Sequence, residues 1–422
     1  NGYKAYWNDG AQMITPHDKN TIAEVNKIRS AADIKFKGNP SLIETIGEEI
    51  DSQFIQDLTT LSLSQEAIKR HHDMKIVYTP IHGTGVKLIP RALAAFGFTN
   101  IIHVPEQDVV SGDFPTVKSP NPEEPAALAM AVAKAKETDA ELVLASDPDA
   151  DRVGAAVKNN EGEWVLLNGN QTALMFVYYL IRRWKELGKI QGKEYIVKTI
   201  VTTETIRTIA EANGVGYYDV YTGFKWIANV MRQNEGKLKY IGGGEESYGF
   251  LCEDFVRDKD AVSACSVLAE IAAWAKDNGM TMYQLLQNIY VEYGFSKEQG
   301  ISVVKKGKSG AEEIEAMMKH YRETPHTEIA GSKVSHINDF STLKSFDLLE
   351  NETISLDMPT TSNVLQYFTE DGTKVSIRPS GTEPKIKFYI EVHSKVKGLD
   401  ELEAADKAAA AKIEEIKKSL GI

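Results

Sequence analysis

The sequence predicts a chain of serial α/β domains with mixed sheets, followed by a C-terminal α+β domain. Strand-loop-helix alternation begins at Lys75 and restarts after Asn168-Gly169-Asn170, and from about Gly294 it gives way to antiparallel-looking strands. At 422 residues the chain exceeds what one core accommodates. Domains are expected at 1–70, 71–165, 166–293 and 294–422.

In the first portion, Tyr3-Lys4-Ala5-Tyr6-Trp7 reads as a strand turning at Asn8-Asp9-Gly10, with helical stretches at 21–31 and 42–58. A lone strand has no sheet to join, and Asn1 is not an initiator Met, so this portion is expected to be the remnant of a first α/β domain. Next come buried strands at 75–80, 100–104 and 141–146, with helices at 86–96 and 123–137. Pro122 is placed near the first turn of the second helix, where Glu123 and Glu124 suit its positive end. The third portion has an apolar helix at 171–187, then strands at 195–201, 216–221 and 239–242 alternating with helices at 204–212 and 224–234. One long helical region, 261 to about 293, closes it. The last portion offers strands at 353–356, 364–368, 373–377 and 386–392, a turn at Glu370-Asp371-Gly372, and helices at 311–322 and 399–420.

Hydrophobic content of 42% and charged content of 26% are those of an ordinary globular protein. The formal charge of −12 argues against a nucleic-acid or anionic-membrane surface, while leaving room for a local cationic pocket. Cys252 and Cys265 alone supply no disulfide framework, which fits a reducing cytoplasm. No apolar run reaches the ~18 residues of a membrane span, and the start has no charged-then-apolar signal.

Chemistry concentrates in a few loops. Asp147-Pro148-Asp149-Ala150-Asp151-Arg152 follows the buried strand at 141–146. Carboxylates at alternate positions can converge on one hard divalent cation. A calcium EF-hand is excluded, because Arg152 and Lys158 stand where it needs Gly and Glu. Arg152 beside the cluster suits a phosphate that shares the metal.

Arg378-Pro379-Ser380-Gly381-Thr382-Glu383-Pro384-Lys385 combines a cation, two hydroxyls and exposed N–H groups, the makings of a phosphate cradle. Gly242-Gly243-Gly244-Glu245-Glu246-Ser247-Tyr248-Gly249 could meet sugar hydroxyls, or simply turn a corner. In Arg257-Asp258-Lys259-Asp260, Lys259 read alone is a solvated ion-pair residue, and in a closed cleft a proton donor and acceptor. Thr222-Gly223-Phe224-Lys225 at a strand-to-helix turn serves either as an anion site or as a plain helix start. Gly307-Lys308-Ser309 is not a P-loop, because Ser302 replaces the upstream Gly, and His71-His72 fits an exposed helix end better than a metal site.

In this order the motifs resemble the α-D-phosphohexomutase superfamily, most closely its phosphoglucomutase/phosphomannomutase branch, over essentially the whole chain. The resemblance implies α/β domains around a central cleft and a C-terminal domain of TATA-binding-protein-like fold. It also implies phosphate exchange between the anomeric carbon and carbon 6 of a hexose, through a phosphoserine and a bisphosphorylated sugar. Asp147, Asp149 and Asp151 would then hold Mg²⁺, with Arg152 on the phosphoryl group. Glu245 and Ser247 would bind sugar hydroxyls, Thr222 and Lys225 would line the substrate cleft, and Lys259 would be the general acid/base. Arg378, Ser380, Gly381 and Thr382 would hold the non-transferring phosphate.

The expected partners are hexose phosphate and hexose bisphosphate, without nucleic acid or membrane, in a cytoplasmic monomer or weak homodimer. The family's T-A-S-H-N-P phosphoserine stretch is not among the 422 residues, so the chain alone is expected to lack turnover. Phosphopentomutase and a non-catalytic phosphosugar-binding protein are the alternatives. G-E-E-S looks more like the glucose-type branch, with mannose left open.

Overall fold

Except at 3–7, the runs read as strands fold as strands, those at 76–79, 142–146 and 194–199 fully buried, and the periodic stretches between them fold as helices. The computed structural model describes residues 4–305, 307–380 and 384–422. By contacts the chain forms two units, Asn1–Ile200 with Ala210–Leu285, and Val201–Ile209 with Leu286–Ile422.

The first unit opens with α1 (His17–Val25), α2 (Glu48–Thr59) and α3 (Gln65–Arg70). Its first sheet is built from β1 (Ile76–Thr79), α4 (Gly85–Phe96), β2 (Ile101–His103), α5 (Pro105–Asp108), α6 (Pro125–Thr138), β3 (Leu142–Ser146), β4 (Val153–Lys158) and β5 (Trp164–Leu167). The strand order is β2-β1-β3-β4-β5. The sheet is mixed, since β1 runs parallel to β2 and β3 while β4 is antiparallel to β3 and β5.

The second sheet follows α7 (Gly169–Glu186), with β6 (Glu194–Thr199), α8 (Thr205–Ala212), β7 (Gly216–Val220), α9 (Phe224–Asn234), β8 (Lys239–Gly244) and β9 (Phe250–Cys252). Its order is β7-β6-β8-β9, with only β9 antiparallel. Then come α10 (Ala261–Asp277) and α11 (Met282–Tyr293).

The second unit holds β10 (Phe295–Val304), α12 (Gly307–Glu323), β11 (Glu328–Ile329), β12 (Ser332–Asp339), β13 (Lys344–Asp347), β14 (Glu352–Ser355), β15 (Leu365–Thr369), β16 (Lys374–Pro379), β17 (Lys385–Ser394) and α13 (Leu402–Leu420). Its antiparallel sheet runs β10-β17-β16-β15-β12-β13-β14, with β11 on β12. Lys374 is buried there, its Nζ 2.7 Å from Glu204, 3.0 Å from Glu391 and 2.9 Å from the Thr202 carbonyl. Among the described residues no helix is long and apolar enough to cross a membrane.

Several expectations are corrected. Instead of a strand at 3–7, the described part shows a single bridge between Tyr6 and Gln12. The helices expected at 21–31 and 42–58 form only as α1 and α2, because residues 18–49 are largely exposed and short helices need a face to bury. Pro125, not Pro122, opens α6. Pro122 instead abuts Gly154, where an added Cβ would lie 2.8 Å from the Pro122 Cβ. The helical region 261–293 breaks at Gly279, whose φ is +73°. Strands β4, β5, β10, β12 and β13 were not anticipated, β4 because its run of small residues gives a weak apolar signal.

Helix α10 is buried from Ala261 to Ala275, and it packs on α3, α4, β3 and β4 of one sheet layer and on α7 and β9 of the other. A helix apolar on all sides belongs in an interior. Its one buried charge, Glu270, accepts the Leu63 N–H at 2.7 Å and the Ser62 hydroxyl at 3.1 Å, and also bonds the Ser64 N–H. Burial raises the Glu270 carboxyl above its usual range, and these donors oppose that shift. We predict that Glu270→Ala, which leaves the donors unpaired, lowers unfolding free energy by about 3 kcal/mol, and Glu270→Gln by less, as read from urea midpoints.

Candidate functional site

Buried strand β3 delivers Asp147 to the mouth of the hairpin it makes with β4. The loop curls because Ala150 adopts φ +55° and Asp147 Oδ1 accepts the N–H groups of Asp151 and Arg152, both at 3.0 Å. The result brings one oxygen each from Asp147, Asp149 and Asp151 within 4.8 Å of one another. Three neighbours pin the loop. Thr84 donates its N–H and hydroxyl to the Pro148 carbonyl at 2.9 and 3.1 Å. Ala261, at the start of α10, donates to the Ala150 carbonyl at 3.0 Å, and Val153 donates to the Tyr248 carbonyl at 3.0 Å. Gly83 is required for the fit, because a Cβ there would stand 2.4 Å from the Pro148 Cα.

The electrostatics follow from this crowding. Burial, with the charge of Asp151 adding to it, pushes Asp147 up to about 7. Asp151 is held below its usual value, because Lys259 and Lys4 outweigh its own burial. Lys4 Nζ lies 3.0 Å from Asp149 and 2.7 Å from Asp151, and Lys259 Nζ lies 3.0 Å from Asp151. Two ammonium groups thus offset part of the negative charge. Hard oxygen donors on a tight loop, one of them too buried to ionise comfortably, are a donor set suited to a small divalent cation.

Arg152 reaches Glu123 at 3.2 Å. The Asp cluster, Arg152, Lys4 and Lys259 line one cleft of about 780 Å³, along with Thr84 and Asn121.

Lys259 is not the solvated residue its neighbours suggest, for its side chain is 12% exposed. Burial works against its charge, but Asp258 and Asp151 outweigh that and raise its pKa. Asp258 in turn receives the Tyr6 hydroxyl at 2.5 Å. Lys259 precedes Asp260, which caps α10 by accepting the Val262 and Ser263 N–H groups at 3.0 and 2.8 Å. The Lys259 stem lies along Gly249, where a Cβ would come within 2.5 Å of its Cδ.

Gly249 closes the loop that carries Glu245 and Ser247 between β8 and β9. Glu245 is 5% exposed and accepts the Gly223 N–H at 2.7 Å, and burial, aided by Glu246, pushes its carboxyl up to about 7. Ser247 is half-buried on the same loop, and Thr222 is half-buried beside Gly223. Lys225 points elsewhere. It lies over the Trp226 ring at 5.3 Å and lines a separate small hollow with Trp7, His17 and Arg232.

In the second unit, Arg378 sits near the end of β16 opposite Lys387, and Ser380 donates its N–H to the Lys385 carbonyl at 2.8 Å. Gly381 and Thr382 lie outside the described residues. Sequence reasoning assigned no role to Lys4, Tyr6 or Thr84. Lys4 and Tyr6 alternate along the chain and so share a face, which is the one local signal they offered.

Comparisons with known proteins bear on the family of the chain. Models described as phosphoglucomutase/phosphomannomutase alpha/beta/alpha domain II, alpha/beta/alpha domain III and C-terminal domain match residues 52–162, 168–293 and 304–416. A phosphoglucomutase of Staphylococcus aureus is 33% identical over 395 residues, 93% of this chain and 70% of that protein. One from Staphylococcus haemolyticus is 32% identical over 399 residues, 93% of this chain and 71% of that protein. Among solved structures, a phosphoglucomutase/phosphomannomutase family protein from Burkholderia thailandensis has a TM-score of 0.59 at 18% identity, covering 88% of this chain. The parafusin phosphoglucomutase of Paramecium has a TM-score of 0.58 at 16% identity, covering 89%. The chain spans 65% and 63% of the lengths of these two structures.

Two outcomes are expected. Gly83→Ala forces backbone apart beneath the Asp loop and costs roughly 1–3 kcal/mol in urea unfolding. Glu245 has a folded pKa near 7 against an ordinary 4.5, so it holds its proton longer folded than unfolded. Its effect is absent below about pH 4.5. Between about pH 4.5 and 7 the unfolded chain has released this proton while the folded chain still holds it, so stability falls by up to about 3 kcal/mol and stays lowered above pH 7. Glu245→Gln is therefore expected to match the unsubstituted chain at pH 4.5 and to exceed it in stability at pH 8, measured by denaturation at both values.

Proposed function

The chain belongs to the phosphoglucomutase/phosphomannomutase family, and from that premise we propose that it carries the metal, sugar and acid/base groups of a phosphohexomutase. The reaction proposed is interconversion of glucose 1-phosphate and glucose 6-phosphate, with mannose phosphates as the second substrate pair, in the cytoplasm. The supporting observation is the gathering of Asp147, Asp149, Asp151, Arg152 and Lys259 in one cleft, tied to the Glu245 loop through Tyr248.

On this reading Asp147, Asp149 and Asp151 hold Mg²⁺, which when bound offsets charge on the transferring phosphoryl group. Lys4, whose ammonium is bonded to Asp149 and Asp151 here, would have to leave them for those carboxylates to hold the ion. The Arg152 guanidinium, a rigid fork of donors, pairs with phosphoryl oxygens. Lys259 is the general acid/base: charged beside Asp258 and Asp151 it donates a proton, and it accepts the proton of the attacking sugar hydroxyl only in its neutral form. Ionised Glu245 and the Ser247 hydroxyl bind the sugar hydroxyls, contacts that serve either orientation of the ring. Thr222 and Lys225 belong to the substrate-binding set, and Arg378 and Ser380, with Gly381 and Thr382, bind the phosphate that is not being transferred.

The phosphoryl donor of such a reaction is a phosphoserine, and no T-A-S-H-N-P stretch occurs in the 422 residues. We therefore expect the purified chain to bind glucose 1,6-bisphosphate with Mg²⁺ and to show no turnover in a coupled glucose 6-phosphate assay. Asp149→Asn with Asp151→Asn should weaken Mg²⁺ binding at least ~10-fold by calorimetry. Failure to bind the bisphosphate with or without Mg²⁺ would sink the sugar-phosphate assignment. Turnover at an ordinary enzymatic rate would refute the need for a separate serine.

A further inference from the structure

A second hollow lies at the far end of the sheet that carries Glu245. Strands β6 and β8 run parallel, with Glu194 paired to Lys239 where both begin. The Glu245 loop leaves the other end of β8, about 17 Å away along five residues of strand. Around the starting end is a hollow of about 650 Å³ lined by Trp184, Lys189, Lys193, Lys237, Lys239 and Glu253, among others. That volume lies within the range of small-molecule sites.

The charges here are unusually one-sided for a chain of net charge −12. Lys239 is committed, with Glu253 at 3.2 Å and Asp254 at 3.4 Å. The Glu194 carboxylate is also occupied, accepting the N–H groups of Gln191, Gly192 and Lys193 at 2.9, 2.8 and 3.0 Å. Lys189 lies over the Trp184 ring at 5.2 Å, and Lys237 donates to the Gln233 carbonyl at 3.1 Å. Neither these two nor Lys193 is ion-paired among the described residues. Beneath them Trp184 is 4% exposed, and its indole Nε1 has no hydrogen-bond partner among the described residues. The three exposed ammonium groups around the hollow carry no counter-charge among the described residues.

We propose that this hollow is a second anion site, separate from the Asp147 cleft, for a small ligand carrying two or more phosphate groups. A polyphosphate fits better than a single phosphate, because the cations stand on two loops. Lys189 and Lys193 precede β6, and Lys237 precedes β8. A ligand reaching both loops needs charge at both ends. Ammonium groups with three donors each suit phosphate oxygens.

Inorganic tripolyphosphate, titrated calorimetrically into the chain at 0.15 M salt with EDTA present, is the test. One equivalent is expected to bind. The double variant Lys193→Gln with Lys237→Gln, both at exposed positions, should weaken binding at least tenfold. Arg152→Gln in the Asp cleft should leave this binding unchanged. Near-ultraviolet circular dichroism of each variant confirms that it is folded. Undiminished binding by the lysine double variant, loss of binding in Arg152→Gln alone, or non-saturating uptake by the unsubstituted chain would overturn the proposal.

Discussion

Residues Ala261 to Ala275 of α10 are all buried, so this helix is stable only with elements of both sheets of the first unit packed around it. The candidate site depends on that burial. Asp260, Lys259 and the donating N–H of Ala261 all sit at the one end of α10 where backbone donors are free of intrahelical partners. Asp260 uses two of these donors, and the Asp147–Arg152 loop uses another through the Ala150 carbonyl. Packing of an apolar helix thereby fixes how a polar loop, a capping carboxylate and a lysine stand relative to one another.

Glycines set the remaining distances. Gly83 lets backbone meet backbone under Pro148, and Gly249 lets the Lys259 stem pass beside the Glu245 loop. Gly169, at the start of α7, is equally constrained, since a Cβ there would lie 1.9 Å from the Glu246 carbonyl oxygen. Asp147 and Glu245 are held where ionisation is opposed, while Lys259 keeps its charge because Asp258 and Asp151 face it. Such opposed shifts within a small volume are typical of sites that bind ions or move protons.

The two hollows of the first unit differ in how their charges are met. In the Asp cleft, lysines answer carboxylates, and the unsatisfied demand is for a cation. At the starting ends of β6 and β8 the carboxylates are spent on backbone or on Lys239, and the unsatisfied demand is for an anion. One lies at the β3–β4 hairpin of the first sheet and the other at the starting ends of β6 and β8 in the second, and charges more than ~8 Å apart at physiological salt are largely screened where solvent intervenes.

Much of the fold was legible in the sequence. Period-two and apolar runs marked β1, β3, β6, β7 and β8, helical periodicity marked α4, α7 and α9, and the change near Gly294 marked the antiparallel sheet. Alternate Asp residues after a buried strand marked the carboxylate cluster, because the residues of a tight loop are neighbours in sequence. Local pattern failed where partners are distant. It did not place Lys4 on Asp149 and Asp151, 145 and 147 residues away. It left Lys259 solvated and gave no sign of the orphan Trp184 N–H. Sequence alone determined which chemical groups each loop offers, since spacing along a chain is covalent. Tertiary structure decided which of those groups meet and which are dry, because burial and long-range ion pairing depend on packing that no local window contains.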